Sequence, residues 1–256
     1  MKNNPLFSII IPHYQPSVTE EEFRRCMKSL EDQTDKDFEV LLYHDGPLTD
    51  PDAVKDSPYP VQATKKRIGD YGHSLRDFGI RQAKGEWIIH LNADGVLYPN
   101  AIEVLKEQIK FWEEEFRVKP TAPPVLNFHP ISGKAGFIPP AKLAWIKRPN
   151  IFVFSILLIG RFSFGHSILE ATGRKAQNRL FYSEDSASKK VSHIMSGYPA
   201  VPTNIDCMQL VMRRDLWLKE NGWHDKSENS DSTMYPQFVM KYGATYIPEI
   251  LGEHHP

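Results

Sequence analysis

The first half of the chain alternates short apolar runs with amphipathic stretches. Residues 6–11, 38–43 and 87–91 are apolar and rich in β-branched or aromatic residues, which is typical of strands buried on both faces. Thr19 and Glu22 have the spacing of a capping box at a helix start. The apolar positions that follow recur every three or four residues, as in an amphipathic helix: Phe23, Cys26, Met27 and Leu30. Strands alternating with helices predict an α/β fold with a mixed, mostly parallel sheet.

This alternation continues and then stops. Helices are predicted over residues 73–84 and 99–116, whereas residues 119–203 lose the pattern and contain two proline pairs. From Ile205 onward an apolar stretch, two helices and a late strand at residues 246–247 are predicted. We therefore expect one domain over residues 1–256, made of three parts: 1–118, an irregular insert at 119–203, and 204–256.

Charge and cysteine content exclude several classes of protein. The chain has 31 Lys and Arg against 32 Asp and Glu, a formal net charge of −1, and no basic stripe, which disfavours a nucleic-acid partner. Its two cysteines, Cys26 and Cys207, cannot make a disulfide scaffold or a zinc site, and both are expected to be buried.

No segment is expected to span a membrane. The longest apolar run, residues 151–160, is shorter than the roughly 20 residues that a bilayer requires. We interpret it as core and, with no signal peptide visible, expect a cytoplasmic protein. A peripheral membrane contact is the alternative, favoured by the flanking cations Lys147, Arg148, Arg174 and Lys175.

Polar side chains follow three of the predicted strands. The strand ends present Pro12-His13-Tyr14, His44-Asp45-Gly46 and Asn92-Ala93-Asp94-Gly95. One such Asp more often fixes a turn, but two on one sheet edge favour a ligand site. The amide and carboxylate oxygens of Asn92 and Asp94 are ligand types suited to Mg²⁺ or Mn²⁺.

At this point the chain resembles the family 2 glycosyltransferases, which have the GT-A fold. The resemblance is dense over residues 6–105 and resumes loosely over 205–250. Its blocks, in chain order, are residues 7–14, 26–30, 33–34, 37–40, 44–46, 76–80, 83–88, 91–95 and 222–225. It implies a nucleotide-sugar-binding half at 1–118 and an acceptor-side half at 204–256.

The resemblance also implies roles for individual residues on the donor side. Asp45 would accept the uracil N3–H of a nucleotide, Tyr14 would pack near the base, and Pro12 would shape the turn. Arg76 would lie near the phosphates, where a guanidinium suits phosphate oxygens. Its alternative is a charge on a helix surface. Asp94 would hold the divalent ion that bridges the diphosphate.

Two positions depart from the family's metal motif, which usually reads Leu-Asp-Ala-Asp-Asp. Asn92 and Gly95 each remove a carboxylate, while Asp94 is kept. We expect Asn92 to remain part of the nucleotide-sugar site and the metal to bind less tightly. A late histidine in some GT-A enzymes ligates the metal, so His254 is a candidate ligand; its alternative is a solvated tail.

On the acceptor side, the resemblance implies a general base. Asp231 occupies that place, with Asp225 and Glu228 as rivals. Asp231 is alternatively the N-cap of a helix over residues 232–241. Trp223 is expected either in the acceptor wall or in the core.

Together these features predict a metal-dependent, inverting glycosyltransferase. It would use Mn²⁺ or Mg²⁺ and move a sugar from a nucleotide-diphosphate donor, a UDP-sugar, to a hydroxyl of a glycan or another acceptor. One alternative is a binding protein that keeps the nucleotide pocket without turnover. A nucleotidyltransferase is disfavoured, since residues 12–16 lack a Gly- and Lys/Arg-rich loop for a triphosphate.

Overall fold

The three apolar runs of the first half form neighbouring parallel strands, and a fourth, short strand lies beside them. Strand β1 (Phe7–His13) lies between β2 (Phe38–His44) and β4 (Trp87–His90), and β3 (Val61–Ala63) pairs with β2. The computed structural model describes residues 4–118, 150–159, 191–202 and 204–254. Every β4 residue and nearly every β1 residue is buried, as expected for central strands of a parallel group.

Three helices accompany these strands: α1 (Glu20–Glu31), α2 (His73–Gln82) and α3 (Ala101–Val118). The predicted capping box of α1 is formed, because Thr19 Oγ1 accepts the Glu22 N–H at 3.2 Å and the Glu22 carboxylate accepts the Thr19 N–H at 3.0 Å. The predicted apolar face of α1 is buried.

The remaining strands extend the sheet beyond β4. These strands are β5 (Val96–Leu97), β6 (Ile151–Ile159), β7 (Val191–Met195), β8 (Leu210–Arg213) and β9 (Thr245–His254). The order is β3-β2-β1-β4-β8-β6-β9-β5, with β7 paired to β6. The β4–β8 and β6–β8 pairs are antiparallel and β6–β9 is parallel, so the predicted mixed α/β sheet is confirmed.

The second half contributes two described α-helices, α4 (Arg214–Lys219) and α5 (Ser230–Tyr242). The helix α5 begins at Ser230, two residues before the predicted start. Asp231 therefore lies inside its first turn, and the N-cap position predicted for it is taken by Asn229.

The end of the chain differs from the sequence expectation. A strand was expected only at residues 246–247, but β9 continues to His254. Ile247 pairs with Phe154 and Ile250 with Ser155, so Pro248 sits at an irregularity in the pairing. The pairing with β6, which no local pattern shows, makes this segment a strand. His254 is consequently fixed in the sheet, and the solvated tail expected as its alternative is wrong for that residue.

The apolar run at residues 151–160 lies in the core as far as the structure describes it, since residues 151–157 are buried. Within the described residues, no helix is both long enough and apolar enough to cross a membrane.

Candidate functional site

The carboxyl ends of β1, β2 and β4 lie side by side at one edge of the sheet. Asp45 directly follows β2, Asp94 lies in the turn after β4, and His13 ends β1 between them. Because neighbouring strands lie about 4.8 Å apart, the ends of β2 and β4 are separated by roughly 10 Å. A ligand of nucleotide size spans this distance.

Asp45 is buried at the β2 side of this edge. Its carboxylate accepts the backbone N–H groups of Ile68 at 2.7 Å and Gly69 at 3.0 Å. Next to it, the guanidinium of Arg67 lies 4.1 Å from the centre of the Tyr14 ring. The predicted base-side residues are thus in contact with a loop that the sequence analysis did not assign.

Pro12 lies directly under the start of helix α2. A Cβ atom placed on Gly72 would come within 2.6 Å of Pro12 Cβ, and Gly72 has a φ of +78°. Only glycine combines that conformation with so close an approach. Pro12 therefore shapes the turn by contact with the loop that precedes α2.

Arg76 is buried beside the β4 turn and its charge is held in place. It donates hydrogen bonds to the Tyr71 carbonyl at 2.8 Å and to Asn92 Oδ1 at 2.7 Å, and its guanidinium lies 5.1 Å from the centre of the Trp223 ring. The alternative of a surface helix charge is wrong, because Arg76 is only 4% exposed. Among the residues that the structure describes, none forms a hydrogen bond with Arg76 Nε.

The two departures from the family's metal motif have structural counterparts. Asn92 Oδ1 accepts hydrogen bonds from Arg76 and, at 3.3 Å, from Cys207 Sγ. A Cβ atom on Gly95 would come within 2.7 Å of Met208 Sδ, and Met208 is fully buried. A side chain at position 95 would require the end of the Met208 side chain to shift, so the present packing of Met208 accommodates glycine at that position.

A second group of acidic side chains comes from the other half of the chain. Ligand atoms of Asp206, Cys207 and Asp231 all lie within 4.8 Å of one another. His254 Nδ1 forms an ion pair with Asp206 Oδ2 at 3.0 Å, while His254 Nε2 lies 3.5 Å from Asn92 Nδ2. His254 therefore links this group to the β4 turn.

The two carboxylates of this group have different pKa values. Burial, together with the negative charge of Asp206, raises the pKa of Asp231 to about 6. Burial acts to raise the pKa of Asp206 as well, but the charge and hydrogen bond of His254 lower it to about 2. The charge of Asp206 in turn raises the pKa of His254 to about 9 against the opposing effect of burial. Asp231 is thus the carboxylate poised near neutral pH.

The rival base Asp225 has a structural role instead. Its carboxylate accepts the Ser227 N–H at 2.9 Å and the Thr233 hydroxyl at 2.8 Å. Hydrogen bonds from Ser227 and Thr233 lower the pKa of Asp225 to about 2, which makes it a weak base. Glu228, the other rival, is exposed.

Trp223 lies in the core, which is one of the two places expected for it, and not in an exposed acceptor wall. It is fully buried, its Nε1 donates to Ser230 Oγ at 2.8 Å, and its ring stacks on His73 with 5.1 Å between ring centres. Trp223 therefore contributes to the site through its contact with the Arg76 guanidinium.

The donor set fits a hard divalent cation. The negative charge of Asp94 contributes to raising the pKa of His254, so the two side chains lie near each other. Carboxylate oxygen and imidazole nitrogen are both suitable ligands for Mn²⁺. Asp206 pairs with His254 Nδ1, the arrangement by which a carboxylate orients a metal-binding imidazole. Asn92 is the exception in the motif, because its oxygen already accepts two hydrogen bonds.

Three residues of the site escaped the sequence analysis. Asp206 has no motif of its own and reaches the site only because β8 pairs with β4. Cys207 was expected to be buried, which is confirmed, but its hydrogen bond to Asn92 was not expected. Arg67 is the last of three consecutive cations in a loop with two nearby glycines, a signal that could have marked it.

Comparison with known proteins agrees with this architecture. Residues 8–115 match the model of glycosyl transferase family 2. A glycosyltransferase of Haemophilus influenzae is 26% identical over 105 residues, 41% of this chain and 35% of its own length. One of Rickettsia conorii is 33% identical over 119 residues, 44% of this chain and 18% of its own length. The chain therefore spans about a third or less of these two relatives.

Solved structures share the fold at low sequence identity. S. aureus TarS 1-349 is 13% identical with a TM-score of 0.54, covering 97% of this chain and 60% of that one, and it has also been solved with UDP-GlcNAc. A mannosyltransferase from Pyrobaculum calidifontis, in complex with GDP-Man and Mn²⁺, is 13% identical with a TM-score of 0.51, covering 99% of this chain and 57% of that one. The predicted GT-A fold is confirmed, and the match of residues 8–115 to the model of glycosyl transferase family 2 agrees with the predicted family.

Proposed function

We propose that this chain is a metal-dependent, inverting glycosyltransferase that takes a UDP-sugar as donor and a hydroxyl of a glycan or similar molecule as acceptor. One observation carries the proposal: Arg76, Asp94, Asp206 and Asp231 converge from both halves of the chain beside the carboxyl edge of the sheet. TarS complexes with UDP and UDP-GlcNAc support a uridine donor, while a neighbour with GDP-Man keeps a guanosine donor as the alternative.

In this proposal the reaction is a single in-line displacement. Asp231 takes the proton from the acceptor hydroxyl as the hydroxyl oxygen bonds to the anomeric carbon. The bond from that carbon to the diphosphate oxygen breaks, and the diphosphate leaves with the bonding electrons. Arg76 provides a fixed positive charge toward the departing phosphates. Asp94 and His254 would hold Mn²⁺ or Mg²⁺, which when bound would neutralise charge on the diphosphate.

A substitution at the proposed base tests this function. Asp231→Asn removes the proton acceptor but keeps the shape, so transfer should fall by about 100-fold or more while the dissociation constant for UDP stays within about threefold. Transfer is measured with donor and acceptor saturating, and donor binding by calorimetry.

The matched control for that substitution is Glu228→Gln, which neutralises an exposed carboxylate close by on the chain. Its turnover should match that of the unsubstituted protein. Near-normal turnover by Asp231→Asn would refute the assignment of the base.

A second function is favoured by a specific observation. Asn92 Oδ1 accepts hydrogen bonds from Arg76 and Cys207, so the metal motif has one ligand fewer than usual. A reduced metal site is what we expect of a protein that binds a nucleotide sugar without turnover. Donor hydrolysis and transfer measured with Mn²⁺ separate the two. Binding of a UDP-sugar with neither reaction, over a panel of hydroxyl acceptors, would favour the binding protein.

Three expectations remain predictions of this proposal. They are the division at residues 118 and 203, the acceptor-side role of residues 119–203, and a cytoplasmic location with at most peripheral membrane contact.

A further inference from the structure

The segment from Thr64 to Gly72, called here the 64–72 loop, is fixed to the sheet edge by its backbone. Both carboxylate oxygens of Asp45 accept N–H groups of this loop, at 2.7 and 3.0 Å. Next to Asp45, the N–H of Gly46 donates to the Thr64 hydroxyl at 2.7 Å. The carboxylate of Asp45 is thus already engaged in holding the loop.

The path of the 64–72 loop is narrowly defined. Gly69, Tyr71 and Gly72 all have left-handed backbone conformations, with φ of +75°, +58° and +78°. The Tyr71 carbonyl also accepts a hydrogen bond from Arg76 at 2.8 Å. A loop with this many conformational constraints presents its side chains in set directions.

Arg67 is the side chain that this loop directs toward the site. A Cβ atom on Gly46 would lie 3.6 Å from the N, Cα and Cβ atoms of Arg67, so the Arg67 backbone lies close against the turn after β2. Its guanidinium covers the Tyr14 ring at 4.1 Å, yet Arg67 as a whole is exposed. A planar cation is therefore packed on an aromatic ring while still accessible to a ligand.

We propose that the nucleobase of the donor stacks on Arg67 and that Asp45 is a positioning residue which holds the 64–72 loop and, through it, Arg67. This inference rests on the proposed nucleotide-sugar donor. The turn after β2 lies on the far side of β1 from the β4 turn that carries Asp94. Arg67 is accordingly at the end of the site remote from the diphosphate. Stacking on a guanidinium accepts any base, so Arg67 contributes affinity without selecting the base.

The test compares Arg67→Ala with Arg67→Lys and, as control, Lys65→Ala, which removes an exposed cation of the same loop. Binding of UDP, GDP, uridine and inorganic pyrophosphate is measured by calorimetry. Arg67→Ala should weaken the binding of UDP, GDP and uridine by the same factor, about tenfold. It should leave the binding of pyrophosphate unchanged. Arg67→Lys should not restore binding, because lysine keeps the charge without the plane. Lys65→Ala should stay within about twofold for the nucleotides.

Asp45→Asn, alone and combined with Arg67→Ala, tests the positioning role. Asp45→Asn should weaken the binding of UDP and of GDP by the same factor. The double variant should bind these nucleotides as tightly as the single variant that binds them less tightly. In turnover, both single variants should raise the KM for the donor and leave kcat unchanged, which loss of folding would not produce.

Each contrary result overturns a distinct claim. A changed UDP-to-GDP ratio in Asp45→Asn, with effects that add to those of Arg67→Ala, would mean that Asp45 reads the base directly. Unaltered nucleoside binding in Arg67→Ala, or recovery in Arg67→Lys, would eliminate the stacking role. If the unsubstituted protein binds none of the nucleotides, the proposed function itself fails.

Discussion

Asp206 and Asp231 are neighbouring carboxylates whose partners differ. Asp206 forms an ion pair with His254 at 3.0 Å and stays ionised. Asp231 is buried next to the negative charge of Asp206, and both burial and that charge raise its pKa. Two titratable groups whose pKa values are pushed apart by their surroundings can take different roles in one reaction. Asp231, with a pKa of about 6, suits proton acceptance, and Asp206 suits the orientation of His254.

The pH dependence of turnover follows from the raised pKa of Asp231. A general base must be deprotonated, so kcat/KM should fall tenfold per pH unit below about pH 6 and level off above it. The profile is measured from about pH 4.5 to about pH 8.5 at constant ionic strength. An acid limb centred near pH 4, the ordinary range of a carboxyl group, would contradict the burial and charge effects given for Asp231.

Sequence patterns identified some of these residues and missed others for physical reasons. Asp45 and Asp94 follow two parallel strands, β2 and β4, that both pair with β1, so their common edge follows from strand order. Asp206 meets Asp231 only through the pairing of β8 with β4 and the docking of α5, which depend on contacts between residues distant along the chain. The sequence around Trp223 does not indicate whether its ring is buried or exposed. The ring is buried because His73 and Trp217 stack on it.

Helix α2 shows how an element carries the site. Its first turn holds His73 and Arg76, while Gly79, one turn further, lies against Ile10 of β1. The close approach of helix and strand at Gly79 sets how far Arg76 reaches toward Asn92. Packing of α2 on β1 and the position of the Arg76 charge are therefore linked.

Substitution of that glycine tests the linkage. A Cβ atom on residue 79 would come within 2.6 Å of Ile10 Cγ2, and Ile10 is fully buried. Alanine gains about 1 kcal/mol in helix propensity, but overpacking costs typically 1–3 kcal/mol. Gly79→Ala should lower the free energy of unfolding by about 1 kcal/mol in urea denaturation.

The control for Gly79→Ala is Gln82→Ala, which changes an exposed residue of the same helix. Its effect should stay within about 0.5 kcal/mol. A more stable Gly79→Ala protein would mean that β1 yields readily and that the contact does not set the position of the helix.

Element boundaries were predictable where the signals are local. The capping box placed the start of α1, and apolar runs placed β1, β2 and β4 within two residues. The strand β9 was recognised only in part, because it carries Pro248 and Gly252 and owes its structure to β6 and β5. Gly252 is required there, since a Cβ atom would come within 2.4 Å of the Val96 carbonyl oxygen.

Across the whole molecule, the antiparallel pairing of β4 with β8 joins the two groups of strands. The donor-side residues lie at the first group; His254 belongs to the second group, and Asp206 and Asp231 lie beside His254. A ligand that contacts both groups binds only the folded arrangement of the sheet. Such binding stabilises the entire fold by mass action.

Thermal unfolding should report this coupling. A UDP-sugar at 100 times its dissociation constant adds about 2.7 kcal/mol, which for a chain of this size raises Tm by roughly 5–10 °C. The shift should require Mn²⁺ or Mg²⁺ and vanish with a chelator. An equal shift with the chelator present would show that the divalent cation is not part of the donor site.

The fold class was predictable from the alternation of strands and helices, but the complete sheet was not. Residues 119–203 show no regular pattern, yet β6 and β7 lie within this region and β6 pairs with three other strands. A strand buried on all sides appears in the sequence as a continuous apolar run, and such a run does not predict which strands it will pair with.

The β6–β7 pairing has a consequence for protein engineering. Ile159 and Val191 are partners across the two strands, so the two residues that flank positions 160–190 are neighbours in the sheet. Exchange of that stretch for the equivalent stretch of a related enzyme would require no change in strand register, and loop-closure cost grows only slowly with length. Under the proposed acceptor-side role of residues 119–203, such an exchange would change acceptor preference and leave the nucleotide-binding residues as they are.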